Sequence, residues 1–281
     1  MSAPVRRAGL TVLLALITLA GCSTPSAPVP TRSAAQAIPA VTDFCRSRLR
    51  AEWSLRRRVV HLAGCEWTAW GEQRLLLEQG WPEAQVSFGP DEDALAVWAR
   101  VGDYWDVADP GHAADVRALA ARAPRRELWP AWRRAWSAAF VSWVMRRAGS
   151  PDFAPDPAHA DYLRAALERR PDSVVDVANY APVTGDLICA GRGSGPRDAT
   201  EFLRRLREET GFFPSHCDVI VEVRADTLTL VGGNVKNAVT ATITPLADGR
   251  APPATARSWA VALRQPEPPD PCATLSPGPG C

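Results

Sequence analysis

The chain has 281 residues, 32 basic and 31 acidic, for a formal net charge of +1, and 46% of it is hydrophobic. That balance argues against nucleic acid as the main partner, and the length supports one substantial core. The four histidines come without a His-Glu-x-x-His run, a Cys-x-x-Cys pair or an acidic calcium loop, so no metal site and no cofactor are expected.

Residues 1–21 read as a signal segment. Arg6 and Arg7 precede an apolar run from Ala8 to Ala20. About twenty apolar residues are needed to span a bilayer, so the run suits a cleaved signal core better than a membrane helix. It ends in Leu19-Ala20-Gly21-Cys22, which resembles the bacterial lipobox. Cys22 is therefore expected to be the lipidated first residue, making the membrane a partner through its acyl chains. Ser23 favours the outer membrane, facing the periplasm. Without Arg6 and Arg7 the mature chain would sit near −1, starting from +1. After Cys22, residues 22–40 are rich in Pro, Ser and Ala and read as a disordered tether with a reach on the order of 50 Å.

From 41 to 130 the pattern is helical. Ala94, Trp98, Val101 and Trp105 recur at helical spacing, with Asp91 or Asp93 as a cap. Ten of the eleven tryptophans lie between Trp53 and Trp143. Tryptophans at helical spacing read as core rather than as a glycan platform. The segment 131–264 is expected to hold the core of the domain. Trp136, Ala139, Phe140, Trp143 and Val144 mark one buried helical face, with Ser137 in its first turn at the edge of the stripe. A helix over Pro157 to Glu168 carries His159 in its first turn. Another, over Asp198 to Thr210, opens with the capping box Asp198-Ala-Thr-Glu201.

Strands come next at Asp186–Ala190, Cys217–Arg224, Thr227–Val231, Val235–Thr244 and Ser258–Leu263, with a tight turn at Ala225-Asp226 and a further turn at Gly232-Gly233-Asn234. Helices first and an antiparallel sheet after give an α+β class. Residues 265–281 are Pro-rich and read as a loose tail.

Cys45, Cys65, Cys189, Cys217, Cys272 and Cys281 remain after the anchor, an even number that permits disulfides in an exported protein. Six cysteines allow fifteen full pairings. Sequence neighbours suggest 45–65, 189–217 and 272–281, but the sequence alone does not choose.

Three features fall in a suggestive order: a helix opening Trp136-Ser137-Ala138-Ala139-Phe140, a strand opening Ser215-His216-Cys217-Asp218, and Gly232-Gly233-Asn234 beyond it. Together with Gly185-Asp186-Leu187-Ile188-Cys189 and His159-Ala-Asp-Tyr162, these segments resemble the bacterial family called domain of unknown function 2272, over roughly Asp43 to Leu263. That family is more distantly similar to the CHAP and NlpC-type branch of papain-like amidases. The resemblance implies a papain-like core with N-terminal helices and a C-terminal antiparallel sheet. It puts Ser137 in the nucleophile's place, His216 in the base's and Asn234 in the orienter's. Those enzymes use cysteine, so a serine there is a departure; it can attack only with an aligned base and oxyanion hole. Adjacent strand residues face opposite ways, so Cys217 cannot share a groove with His216.

The leading expectation is an amidase or endopeptidase acting on cell-wall peptide, with peptidoglycan as a partner. The alternatives are a non-catalytic envelope module that keeps the groove, and a structural outer-membrane lipoprotein.

Overall fold

The structure is a computed structural model that describes residues 45, 47–78, 84–87, 95–120, 134–250, 257–279 and 281. The signal segment, Cys22, the tether and the candidate caps Asp91 and Asp93 lie outside the described residues. Among the described residues no helix is long and apolar enough to cross a membrane.

In chain order the elements are α1 (Leu55–Ala69), β1 (Arg74–Leu76), β2 (Ala84–Ser87), α2 (Leu95–Ala108), α3 (Pro110–Ala120), α4 (Ser137–Arg147), α5 (His159–Arg169), β3 (Val174–Asp176), β4 (Leu187–Gly191), α6 (Ala199–Glu208), β5 (Ser215–Val223), β6 (Thr227–Val235), β7 (Ala238–Pro245) and β8 (Trp259–Leu263). The class is α+β. The strands form one sheet in the order β2-β1-β7-β6-β5-β4-β8-β3. Every pairing is antiparallel except that of β1 with β7, which is parallel.

Alternation along the strands divides the core. Cys189, Cys217, Val219, Val221 and Val231 face the layer containing α1 and α4, while Ile188, Ile220, Leu228 and Leu230 belong to a second apolar cluster. The buried stripe of α4 packs on β5 and β6. Its first turn is sealed by Trp136, stacked between Trp70 and Tyr104 at centroid distances of 5.4 and 5.7 Å. Asp198 caps α6 by accepting from Glu201 N at 2.8 Å.

Three expectations are corrected. The stretch read as helical throughout contains β1 and β2, which extend the sheet beyond β7. Gly232-Gly233-Asn234 is not the turn but the bulged end of β6, and the reversal comes after it, at Lys236 and Asn237, both in the left-handed region. The C-terminal residues are not loose. They form a strap against α1: Arg56 Nε donates to Glu267 O at 2.9 Å, Glu267 Oε2 accepts from Leu55 N at 2.7 Å, and the Ser54 hydroxyl donates to Asp270. A Pro-rich segment lacks its own backbone ladder, and here the open first turn of α1 supplies its partners. Ala273 is buried and Leu275 packs over Gly64. Disulfides join Cys45 to Cys65, Cys189 to Cys217, and Cys272 to Cys281.

Candidate active site

Ser137 is the first residue of α4, where the chain turns out of Trp136 and the backbone N–H groups of the first turn have no intrahelical acceptor. Such a helix start favours developing negative charge. Ser137 Oγ lies 2.7 Å from His159 Nε2, and His159 Nδ1 lies 2.5 Å from the Tyr162 hydroxyl. His159 and Tyr162 stand three residues apart on α5, so one helical face presents both.

Ser142, a little over one turn after Ser137 on α4, brings α5 to this place. Its hydroxyl donates to Asp156 O at 2.9 Å and accepts from Asp156 N at 3.0 Å. The Asp156 carboxylate in turn accepts from Ala158 N at 2.8 Å, immediately before His159. One helix therefore holds the serine and anchors the loop that delivers its histidine.

His216 is not the partner of Ser137. Its ring stands against that of His159, edge to face, with centroids 5.6 Å apart. It belongs to a second pair. His216 and Asp218 alternate onto the same face of β5, and His216 Nε2 lies 2.6 Å from Asp218 Oδ1. His216 Nδ1 is buried without a hydrogen-bond partner. Asp218 Oδ2 accepts from Arg257 Nη1 at 3.1 Å. Cys217 faces the other way and is bonded to Cys189.

Asn234 does not orient either imidazole; the groups that meet the two rings are Tyr162 and Asp218. Asn234 adopts φ 57° at the bulge of β6, which turns it into a cavity beside Lys236 and Arg257. The two glycines before it explain the motif better than a turn does. A Cβ on Gly232 would sit 1.7 Å from Asp218 Oδ1, and one on Gly233 would sit 2.4 Å from Phe140 Cβ. One glycine makes room for the His216–Asp218 pair. The other lets the start of α4 lie against the β6 backbone.

Charge states follow from burial. Ser137 and His159 are only 5% and 4% exposed, and Asp218 is fully buried. Burial, reinforced by His216 and Arg192, holds the His159 imidazole well below its usual pKa, against the pull of Asp218. Burial likewise lowers His216 to about 4, although Asp218 opposes it. Burial works to raise Asp218, but His216, Arg257 and Arg192 together keep its carboxyl below the usual range. Burial, then Asp218 and Asp156, push the Tyr162 hydroxyl well above 10. At neutral pH both imidazoles are uncharged, Tyr162 keeps its proton and Asp218 is ionised. In the tautomer suited to chemistry, the Ser137 hydroxyl donates to His159 Nε2, and His159 Nδ1–H donates to the Tyr162 oxygen. Among the described residues no group of three or more His, Cys, Asp or Glu is placed to hold a metal ion.

His159, Tyr162, Asp218 and Arg257 are the parts that sequence reasoning passed over or left without a role. The i, i+3 spacing of His159 and Tyr162 and the i, i+2 spacing of His216 and Asp218 were the signals present. Arg257 had none.

Residues 92–258 match the model of the family DUF2272, described as an uncharacterized protein conserved in bacteria. No curated protein and no solved structure matches the chain.

Proposed function

The chain belongs to the DUF2272 family of bacterial proteins, and from that premise and the geometry at Ser137 we propose a lipid-anchored envelope hydrolase that cleaves amide bonds in cell-wall peptide. The observation that carries this reading is the 2.7 Å contact between Ser137 Oγ and His159 Nε2 at the start of a helix, whose first backbone N–H groups lack intrahelical acceptors. Ser137 Oγ attacks the amide carbonyl while His159 Nε2 takes its proton. The tetrahedral oxyanion lies against the backbone N–H groups of the first turn of α4. The imidazolium returns its proton to the leaving amine, and water then hydrolyses the acyl-serine with His159 again as base. Tyr162 holds the imidazole in one tautomer. Ionised Asp218, which raises the His159 pKa through space, favours the transient imidazolium.

The remainder of the reading is a papain-like arrangement of helix and sheet, anchored through Cys22 at the outer membrane and facing the periplasm. The three disulfides suit an oxidising compartment. A second reading, a binding module without turnover, draws on the near-complete burial of Ser137 and His159.

Purified peptidoglycan incubated with the protein, with products read by mass spectrometry, separates the two. The hydrolase reading expects peptide fragments from the wild type and a loss of roughly a thousandfold or more with Ser137→Ala or His159→Ala. A Ser137→Ala protein that digests as well as the wild type ends that reading. Binding to peptidoglycan without fragments from either protein establishes the second.

A further inference from the structure

A groove of about 730 Å³ lies between α1, one face of β6 and β7, and the C-terminal strap. That volume falls within the roughly 300–1,000 Å³ of ligand sites. Arg57, Val60, Gly64 and Thr68 line it from one face of α1, a run on the order of 16 Å. Thr274, Leu275 and Ser276 of the strap form a second wall. Glu222, at the groove, lies six residues along β5 from His216, or about 20 Å. The groove and the Ser137 cluster therefore sit at opposite ends of that strand.

The floor offers no edge to an extended peptide. Thr229 stands between Glu222 of β5 and Ile243 of β7, and Ala241 between Val231 of β6 and Arg74 of β1, so the backbone there is engaged within the sheet. Recognition falls to side chains. Hydroxyls come from every wall: Thr68 of α1, Thr227 and Thr229 of β6, Thr274 and Ser276 of the strap. Acid and base are mixed, with Glu72 and Glu222 beside Arg74 and Arg224, and Arg224 is paired with Glu222 at 3.1 Å. Two indoles add apolar surface. Trp70, Trp105, Trp136 and Trp143 are buried core, whereas Trp53 is only half-buried in the groove wall. The Arg74 guanidinium is held over Trp67 at 5.2 Å, and that of Arg57, which also donates to Cys281 O, over Trp53 at 4.5 Å. A guanidinium so placed loses less freedom when it donates to a hydroxyl.

We propose that this groove binds a linear, uncharged glycan. A sugar chain presents apolar ring faces and hydroxyl edges. The indoles supply surface for the faces, and the threonines and arginines supply partners for the edges. The length of the groove suits a chain lying along α1. Binding rests on the groove alone. That the glycan is the strand bearing cell-wall peptide rests on the envelope reading; the protein then grips the strand at one end of β5 while Ser137 works on peptide at the other.

Calorimetry on the full chain tests this with chitohexaose, an uncharged, linear, β-linked amino sugar. Hexaglycine and polyglutamate are the comparison probes. The sugar should bind at least tenfold tighter than either, and adding salt should leave its affinity unchanged. Arg74→Ala with Thr68→Ala should weaken it at least tenfold; both side chains are exposed, and an unchanged melting temperature verifies the fold. Trp53→Ala should weaken it in the same direction, and Ser137→Ala should not alter it. No binding of the sugar overturns the proposal. So does equal or tighter binding of either comparison probe, a double substitution without effect, or loss of sugar binding with Ser137→Ala. Sugar binding with no peptidoglycan cleavage by the wild type overturns the hydrolase reading alone. Cleavage of peptidoglycan without sugar binding overturns this inference alone.

Discussion

Two buried polar clusters in this protein are built on opposite plans. At the start of α1, Arg56 Nη1 donates to Asp186 Oδ1 at 2.7 Å and to Thr184 O at 2.8 Å, and its Nε donates to Glu267 O. Asp186 also accepts from Gln265 N at 2.6 Å and from the Tyr180 hydroxyl. This ion pair is closed by hydrogen bonds, as buried charges generally require. At the start of α4 the opposite holds. His216 is buried with Nδ1 unpaired, its Nε2 stands 2.6 Å from Asp218, and both imidazoles are uncharged. A buried ring nitrogen without a partner is uncommon, and this one stands beside the serine–histidine contact of the candidate site.

The contrast breaks first, and by the largest amount, at Asp186. Replacing Asp186 with Ala strands Arg56 as a buried charge and should cost about 3–5 kcal/mol of stability. Urea denaturation reads this as a lower midpoint at an unchanged slope. Hydrolysis per folded molecule should stay unchanged. A loss below about 1 kcal/mol would show that the closed cluster does not hold the fold together, and the distinction would fall.

The strap that closes this cluster gives a smaller effect. Cys272 and Cys281 are nine residues apart and close the end of the segment that feeds Gln265 and Glu267 to Asp186 and Arg56. Loop-closure entropy for such a short ring amounts to about 2–3 kcal/mol. Cys272→Ser with Cys281→Ser should lower stability by about that amount and open the C-terminal residues to proteolysis, without changing cleavage per folded molecule. Unaltered protease resistance would mean that hydrogen bonds to α1 alone hold the strap.

Much of the candidate site could be read from local spacing. The stripe from Trp136 to Val144 placed Ser137 at a helix start, and strand alternation separated Cys217 from His216. What escaped depended on distant contacts. The pairing of Ser137 with His159 depends on Ser142 bridging to Asp156, fourteen residues on, which no periodicity records. Gly232 and Gly233 carry a turn signature, yet their role is to leave space for Asp218 on one side and Phe140 on the other. β1 is three residues long and owes its existence to pairing with β7 and β2. The C-terminal composition reads as loose because its partners lie more than two hundred residues earlier.

The comparison is sharpened last by acid. An unfolded histidine titrates near 6.5, whereas in the folded chain burial lowers His216 to about 4, with Asp218 pulling upward and Arg192 and Arg257 downward. Above pH 6.5 neither state binds this proton and the group has no effect. Between about 6.5 and 4 the unfolded chain takes it up and the folded chain does not, so stability must fall as pH falls. From those two values the loss attributable to His216 is about 2 kcal/mol at pH 5. His159, also lowered by burial, acts in the same direction. Urea midpoints of the wild type and His216→Gln at pH 7.5 and pH 5 isolate the contribution: the wild type should lose more stability than the variant over that interval. Parallel losses would mean that His216 is not held neutral by the fold. The cluster at α4 would then be as well satisfied as the one at α1, and its claim to be the working one would rest on Ser137 and His159 alone.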